Sequence, residues 1–156
     1  MDFHNLLENL NQQSFFSDLI IERGIEKESL RVRKDGYISK TVHPETLGSS
    51  YTNPSITTDF AESLIEIVTP TYTNVDELYE KLKIIHIFIN QNLKDGEMLW
   101  PFSMPPRIED ESKINIATYG KTNMGRLKHV YRKGLAIRYG KTMQCVSGIH
   151  YNFSIS

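Results

Sequence analysis

The chain has 156 residues, of which 39% are hydrophobic and 24% charged, a composition typical of one globular domain with its own core and not of a disordered chain. Its net charge of -1, from 18 basic and 19 acidic residues, provides no global attraction to nucleic acid or to an anionic membrane. The single cysteine, Cys145, excludes an intrachain disulfide and a C-x-x-C zinc or redox motif, so a reducing cytoplasm is the expected location.

The chain opens with apolar residues at helical spacing. Phe3, Leu6, Leu7 and Leu10 recur at short steps, which predicts an amphipathic helix that packs against the rest of the protein. Residues 1–22 lack the charged start, long apolar run and cleavage site of a secretory signal, and no stretch reaches the apolar length of a membrane span. We therefore expect neither an export signal nor a membrane anchor.

The first predicted strand, GIEKESLRV at residues 24–32, carries two carboxylates among its apolar side chains. Because successive side chains of an extended chain alternate, Glu26 and Glu28 point to the same face. An unpaired buried carboxylate is costly, so this face is either wet or covered by a cation. The Asp-Gly pair at 35–36 predicts a tight turn, from which residues 37–40 return as a hairpin arm.

A long polar loop separates this strand from a second one. Residues 43–58 are crowded with Pro, Gly, Ser, Thr and Asn, which predicts an ordered loop and no regular element. Loops of this length in compact domains are often functional, which draws attention to Asp59 and Phe60 directly after it. Residues 63–69 have the β-branched content of a strand, and Glu66 interrupts their apolar run.

The central part of the chain combines a clear helix with an irregular segment. Asn74 is followed three residues later by Glu77, the pattern of a capping box, and apolar residues then recur at helical steps as far as Leu93. A helix of this extent spans roughly 30 Å, long enough to cover a sheet. Residues 98–107 contain three prolines and the only tryptophan, which predicts a rigid irregular segment.

The last third of the chain predicts a loop, a basic helix and a strand. Residues 119–126 form a glycine-bounded loop that is suited to holding an anion. Residues 127–139 combine an apolar stripe with basic side chains that are expected to face water. The strand 148–156 alternates an apolar side with a polar side that includes His150 and Asn152.

Three predicted strands therefore carry polar residues of the kinds that bind metal ions. They are Glu26 with Glu28, Glu66, and His150 with Asn152, and in one antiparallel sheet they would share a face. A face rich in carboxylates attracts divalent cations that prefer oxygen ligands, chiefly Mg²⁺ or Mn²⁺. Such cations bind through a few carboxylates and substrate phosphates, which indicates a nucleotide triphosphate. The alternative is a solvated sheet face.

Several long segments, in this order, closely resemble the amino-terminal part of glutamate–cysteine ligase of the proteobacterial type. They cover nearly the whole chain, and several independent motifs in order are more specific than one short pattern. The segments are GIEKESLRV, HPETLGSS, ITTDFAESLIEIVTP, LWPFSMPP, YGKTNMGRLKHVYRKGL with RYG, and MQCVSGIHYNFS.

The resemblance implies an α+β fold like that of glutamine synthetase, with a curved, mostly antiparallel sheet and helices packed outside it. It implies an enzyme that joins the side-chain carboxylate of L-glutamate to the amino group of L-cysteine, with ATP as co-substrate, in the first step of glutathione biosynthesis. Mg²⁺, or Mn²⁺, on the polar face would bridge ATP and glutamate. Neither nucleic acid nor a membrane is an expected partner.

Carried over motif by motif, the resemblance also implies site residues. The expected metal ligands are Glu26, Glu28, Asp59, Glu66 and His150, and no further catalytic residue is implied. The expected substrate-binding residues are Asp59, Phe60, Tyr131, Leu135 and Asn152. The first two and Asn152 would border the amino-acid pockets, and Tyr131 with Leu135 would form the cysteine side. For that pair, packing in the helix core is an equal alternative, because the spacing fits an apolar stripe.

The resemblance has a consequence for length as well. Members of the family continue well beyond the strand that carries His150, so residues 1–156 are expected to be the amino-terminal part of a single catalytic domain, truncated and inactive alone. The last strand would leave an exposed sheet edge through which chains can associate. Two alternatives stand beside the ligase: acid–base chemistry by Glu26 and Glu28, as in glycoside hydrolysis, and a non-catalytic domain that binds a metal or a partner.

Overall fold

The computed structural model describes residues 2–12, 19–94 and 96–156, which form three α-helices and one five-stranded antiparallel sheet. This arrangement confirms the α+β class expected from the sequence. None of the described helices has the length and apolar content needed to cross a membrane. In chain order the elements are α1 (Phe3–Gln12), β1 (Ile21–Arg33), β2 (Ile56–Thr58), β3 (Leu64–Val68), α2 (Val75–Asn92), β4 (Glu97–Leu99), α3 (Asn123–Tyr139) and β5 (Ile149–Ile155).

The 13-residue strand β1 is the centre of the sheet. The strand order is β2-β3-β1-β4, and β5 also pairs with β1. All of these pairings are antiparallel. Since Glu26 lies opposite both Val68 of β3 and His150 of β5, these two strands flank β1 on opposite edges. The first half of β1 is thus bordered by β5, and its last residues by β4.

One face of the sheet is covered by α2. Asn74 caps this helix as the sequence predicts, because its side-chain oxygen accepts hydrogen bonds from the N–H groups of Asp76 and Glu77 at 2.7 and 3.3 Å. Fully burying one Ile side chain contributes roughly 1.5–3 kcal/mol, so the apolar cluster between this helix and the sheet is a main source of stability. Its buried members are Leu47, Ile56, Ile65, Ile67, Ile85 and Ile89.

The opposite face of the sheet is apolar only at one end. Leu30 of β1 and Leu64 of β3 are fully buried there in a cluster with Phe60. Leu135 of α3 packs against this cluster. At the other end of these two strands, where β1 also pairs with β5, the same face becomes polar.

A buried ion pair fastens β4 to β1. The side chain of Arg31 has no exposed surface, and its Nη1 lies 2.8 Å from Oε2 of Glu97. Its Nη2 donates to the backbone oxygens of Thr41, Val42 and Glu62, at 2.8, 3.0 and 2.9 Å. The guanidinium of Arg31 therefore connects β1 and β4 to residues 41–42, which follow the hairpin turn.

The structure differs from the sequence expectation at two short strands. Residues 56–58, expected in the long loop, form β2, and residues 98–99, expected in the irregular segment, belong to β4. Each strand is defined by pairing with a longer neighbour, which local composition does not encode. The predicted turn is confirmed, with Gly36 at a φ of 79°, although its second arm consists of isolated bridges.

Two helices expose apolar side chains where the sequence predicts packing. In α1, Phe3 and Leu6 are exposed in the described part of the chain. In α3, Leu127 and Val130 are exposed as well, because a different side of the helix faces the protein. That side is small and partly polar, and its residues are Gly125, His129, Arg132, Gly134, Leu135 and Ala136.

Candidate functional site

The polar face of the sheet brings together side chains from three strands. In an antiparallel pair, residues directly opposite each other point to the same face. Glu28 lies opposite Glu66, Glu26 lies opposite His150, and Asn152 lies opposite Gly24. The register therefore unites on one face the strand residues that the sequence predicts as metal ligands. Asp59 follows β2 and borders them, and we call these five side chains the polar floor: Glu26, Glu28, Asp59, Glu66 and His150.

Glu26 and His150 form a contact at the exposed side of the floor. Oε2 of Glu26 lies 3.1 Å from Nδ1 of His150, and both side chains are more than one third exposed. A carboxylate only accepts hydrogen bonds, so Nδ1 donates and Nε2 stays available. This hydrogen bond is the main cause that raises the pKa of His150, and the charges of Glu26, Glu28 and Glu66 raise it further. The imidazole is thus oriented by a neighbouring carboxylate, as metal-binding histidines usually are.

Glu28 is held by the residue before β5. The backbone N–H of Gly148 donates to Oε2 of Glu28 at 2.7 Å. Burial is the main cause that raises the pKa of Glu28, and the charges of Asp59 and Glu26 add to it, while the Gly148 hydrogen bond acts against it. A Cβ on Gly148 would lie 3.7 Å from Oε2 of Glu28 and 3.5 Å from Nε2 of His150. The glycine therefore keeps space open beside both potential ligands.

Glu66 lies among the other negative charges of the floor. Burial is the first cause that raises the pKa of its carboxyl, and the charges of Asp59, Glu28 and Glu26 raise it further. The guanidinium of Arg132 acts in the opposite direction but does not reverse the shift. The floor thus concentrates negative charge that its neighbours offset only in part, the electrostatic condition that favours a bound cation.

The predicted substrate-binding residues lie in different environments. Asp59 borders the floor, Asn152 is exposed on the outer strand, and Tyr131 is 58% exposed on α3. Phe60 is only 1% exposed and belongs to the apolar core, and Leu135 packs against that core. The first three side chains thus have surface available for a ligand, whereas Phe60 has almost none.

The floor residues do not form a closed set of metal ligands in these positions. Among the residues that the structure describes, no group of three or more His, Cys, Asp and Glu side chains is arranged to hold a metal ion. The kinds of donor nevertheless fit a divalent cation such as Mg²⁺, because carboxylates and an imidazole face one another and the carboxyl pKa values of Glu28 and Glu66 are raised. A cation held there would relieve the repulsion between the carboxylates.

Three residues around the floor are missed by the sequence interpretation. Gly148 and Tyr119 lie at the ends of predicted elements, and Arg132 belongs to a helix whose charges are expected to face water. A signal for the arginine does exist in the sequence. Gly125, His129 and Arg132 recur at four- and three-residue steps, a spacing that predicts one side of a helix as well as the apolar stripe does.

Comparison with known protein sequences identifies one family. A family model described as glutamate-cysteine ligase matches residues 5–156. A glutamate–cysteine ligase of Hahella chejuensis is 52% identical over 135 residues, which make up 86% of this chain and 26% of the relative. Another, of Pseudomonas aeruginosa, is 57% identical over 132 residues, 85% of this chain and 25% of the relative. The chain thus spans about a quarter of the length of the curated relatives it matches.

Solved structures lead to the same group of proteins. A crystal structure of glutamate–cysteine ligase from Francisella tularensis in complex with AMP superposes with a TM-score of 0.86 at 43% identity, covering 88% of this chain and 28% of that one. A bifunctional glutathione synthetase from Pasteurella multocida gives a TM-score of 0.83 at 36% identity, covering 96% of this chain and 19% of that one. At these identities the likeness extends to sequence as well as fold.

Proposed function

Because the chain belongs to the glutamate–cysteine ligase family, we propose that its polar floor serves the ATP-dependent joining of L-glutamate to L-cysteine. In this reaction the terminal phosphoryl group of ATP is transferred to the side-chain carboxylate of glutamate, which leaves ADP and an acyl phosphate. The amino group of cysteine then attacks the acyl carbon, phosphate departs, and γ-glutamylcysteine is formed. The product is the first intermediate of glutathione biosynthesis.

The observation that carries the proposal is the register of β1 with β3 and β5. A shift by one residue would turn Glu26 and Glu28 to the face that α2 covers. In the observed register they share a face with Glu66 and His150. A wet surface face would be expected to interleave both signs of charge, whereas this face opposes carboxylate to carboxylate.

The chain's own residues would hold and orient the reactants. We propose Glu26, Glu28, Asp59, Glu66 and His150 as ligands of Mg²⁺ or Mn²⁺. When bound, the cation supplies neutralisation of the charge on the transferred phosphoryl group. Glu26 would keep Nε2 of His150 directed to the floor, and the N–H of Gly148 would hold one oxygen of Glu28 while leaving the other free.

Nucleotide binding is also part of the proposal, and a relative solved with a nucleotide supports it. The Francisella tularensis relative was solved with AMP, and this chain superposes on it over 88% of its length. We therefore propose ATP as co-substrate. Dependence on ATP and a single buried cysteine fit a cytoplasmic location.

The amino-acid substrates would lie beside the floor. We propose that Asp59 and Asn152 border them with exposed polar groups and that Tyr131 contacts cysteine. Phe60 and Leu135 would support the site without contacting the substrate, because they form the apolar core of this region and offer little surface to a ligand. In this arrangement the side chains that meet the substrate would lie directly after β2, on β5 and on α3, and the side chains that support the site would lie in the core.

Calorimetry tests the proposal directly. Mg²⁺ and a non-hydrolysable ATP analogue are titrated into the chain and into the variants Glu26→Gln and Glu22→Gln. Glu22 is the matched control, because it lies on the same face of β1 but at the far end, opposite Ser154. We expect the parent and the control to bind, and Glu26→Gln to bind on the order of tenfold or more weakly. Equal binding by all three, or none by the parent, would refute the proposal.

We further propose that the 156-residue chain does not complete the reaction by itself, since it spans about a quarter of the length of its relatives. Formation of γ-glutamylcysteine from ATP, glutamate and cysteine is the measurement. Turnover by the purified chain at a normal enzyme rate, typically 1–10³ per second in order of magnitude, would contradict this part of the proposal.

A second candidate role is association of two copies through β5. Ile20 and Ser156 exchange two backbone hydrogen bonds, so by alternation the odd-numbered residues of β5 direct their N–H and C=O groups away from β1. Within the described residues, no strand pairs with that edge. A twofold axis at Asn152 would pair Tyr151 with Phe153 of a second copy and satisfy these N–H and C=O groups.

Sedimentation at increasing protein concentration tests this association. Phe153→Lys should dissociate a dimer, and a monomeric parent would exclude one.

A further inference from the structure

Asp59 differs from its floor neighbours in how its position is determined. Glu26, Glu28, Glu66 and His150 lie on strands whose ladders fix their backbones. Asp59 lies just beyond the three-residue strand β2, where its own N–H donates to the backbone oxygen of Leu64 at 3.1 Å. Its carbonyl and its carboxylate are therefore left to be held by other groups.

Tyr119 supplies one of these groups. Its hydroxyl lies 2.7 Å from the backbone oxygen of Asp59 and 2.7 Å from that of Thr58. The tyrosine is only 3% exposed, so its hydroxyl needs such a partner. The hydroxyl thus binds the backbone at the junction between β2 and the aspartate.

Arg132 of α3 supplies the other. Its Nε donates to the backbone oxygen of Asp59, and its Nη2 lies 3.4 Å from Oδ1 of the same residue. The guanidinium also lies over the ring of Tyr119, 4.8 Å from the ring centroid. The arginine side chain is only 13% exposed, although it belongs to a helix rich in solvated charges. The guanidinium of Arg132, stacked on Tyr119, thus holds both the main chain and the side chain of Asp59.

We propose that Arg132 and Tyr119 are positioning residues that hold Asp59 in the polar floor and tie it to α3. The inference rests on the proposed function, since it assumes that the floor binds a divalent cation. Tyr131, which directly precedes Arg132 on α3, is a proposed contact of cysteine. We call Arg132 and Tyr119 together the clamp. The clamp therefore fixes the distance between the cation-binding face and the helix that borders the amino-acid substrate.

A simple counter-charge role for Arg132 makes the opposite prediction. If the guanidinium only offset the negative floor, its removal in Arg132→Met would strengthen Mg²⁺ binding, and Arg132→Lys, which keeps the charge, would change nothing. If it positions Asp59, Arg132→Lys weakens binding, because a lysine ammonium cannot form the two-point contact of a guanidinium. Tyr119→Phe removes the hydroxyl without changing charge and weakens binding for the same reason.

The experiment is calorimetric titration of Mg²⁺ into the full chain and its variants, with thermal unfolding followed in parallel. We expect Tyr119→Phe and Arg132→Lys each to bind Mg²⁺ about tenfold more weakly. In an Asp59→Asn background the same two substitutions should have no further effect, because the clamp acts through Asp59. The matched control is Arg138→Lys, on the same helix, since among the described residues Arg138 donates only to Gly134 of its own helix and stacks on Tyr139.

Each outcome decides between the possibilities. Equal losses in the parent and Asp59→Asn backgrounds would show a general structural effect and overturn the inference. Unchanged affinity in both clamp variants, with weaker binding by Asp59→Asn, would overturn the inference and leave the proposed function intact. A parent that binds no Mg²⁺ would overturn both. If Tyr119→Phe unfolds below the assay temperature, the more exposed Arg132→Lys decides alone.

Discussion

Replacing Glu66 by Gln should stabilise the chain in the absence of divalent cations and weaken its binding of Mg²⁺. Glu66 lies opposite Glu28, and burial, followed by the charges of Asp59, Glu28 and Glu26, raises its pKa. A carboxyl whose pKa is higher in the folded than in the unfolded chain favours unfolding wherever the unfolded chain has lost that proton. Glutamine has nearly the same shape without the charge, so it removes this destabilisation.

The stability gain has a defined pH dependence and size. Below the ordinary pKa of 4.5, Glu66 is protonated in both states and contributes no difference. As the pH rises above that value, the unfolded chain ionises first, and the gain grows until the folded-state pKa has been passed. Side-chain pairs directly opposite each other in a sheet change stability by roughly 0.2–1 kcal/mol, and like charges destabilise, so we expect a gain of about 1 kcal/mol near neutral pH. For a chain of this size this corresponds to about 2–4 °C in Tm.

Urea unfolding followed by circular dichroism, with a chelator present, measures this gain at about pH 4 and about pH 8. Glu22→Gln is the control, and no gain is expected from it. Addition of Mg²⁺ should reverse the order, because at about 100 times the Kd a bound cation stabilises the parent by about 2.7 kcal/mol. Equal stability of Glu66→Gln and the parent at both pH values, or a gain that Mg²⁺ leaves in place, would show that Glu66 does not carry a destabilising charge in a cation-binding floor.

Three further predictions concern the core, the cysteine and the histidine. Arg31→Met should lower the free energy of unfolding by about 3–5 kcal/mol, because it leaves the buried carboxylate of Glu97 without its cationic partner. Urea unfolding measures this loss, and a loss below about 1 kcal/mol would contradict the prediction. Cys145 should react with a thiol reagent only on unfolding, since burial raises its pKa to about 12, and fast labelling of the native chain would argue against this. Glu26→Gln should move the pKa of His150 down towards its ordinary value in an NMR titration, and an unchanged pKa would mean that the hydrogen bond is not its cause.

Alternation and capping are local patterns, and the elements that depend on them were predictable. The strand around Glu26 and Glu28, the strand around Glu66 and the strand of His150 all appear, and Asn74 caps its helix. Side-chain direction along a strand follows from its geometry, so the shared face of the two β1 carboxylates required no knowledge of the partners.

Register and short pairings depend on distant parts of the chain and were not predictable in the same way. That Glu28 meets Glu66 and Glu26 meets His150 is decided by contacts 38 and 124 residues apart in sequence, the differences between the paired residue numbers. The short strands β2 and β4 exist only through such pairing. The sequence predicts a solvated Arg132, because basic side chains on a helix usually face water, whereas its contact with Asp59 depends on how α3 packs.

Paramagnetic NMR can locate a divalent cation on the chain and so tests the claim that the polar floor binds one. Mn²⁺ broadens the signals of amides close to it, so it is titrated into the isotope-labelled chain at low molar ratio. We predict broadening first at Glu28 and Gly148, and none at Ile89, a buried residue of α2 on the other face of the sheet. Broadening that begins at acidic residues elsewhere, with Glu28 and Gly148 unaffected, would contradict the claim.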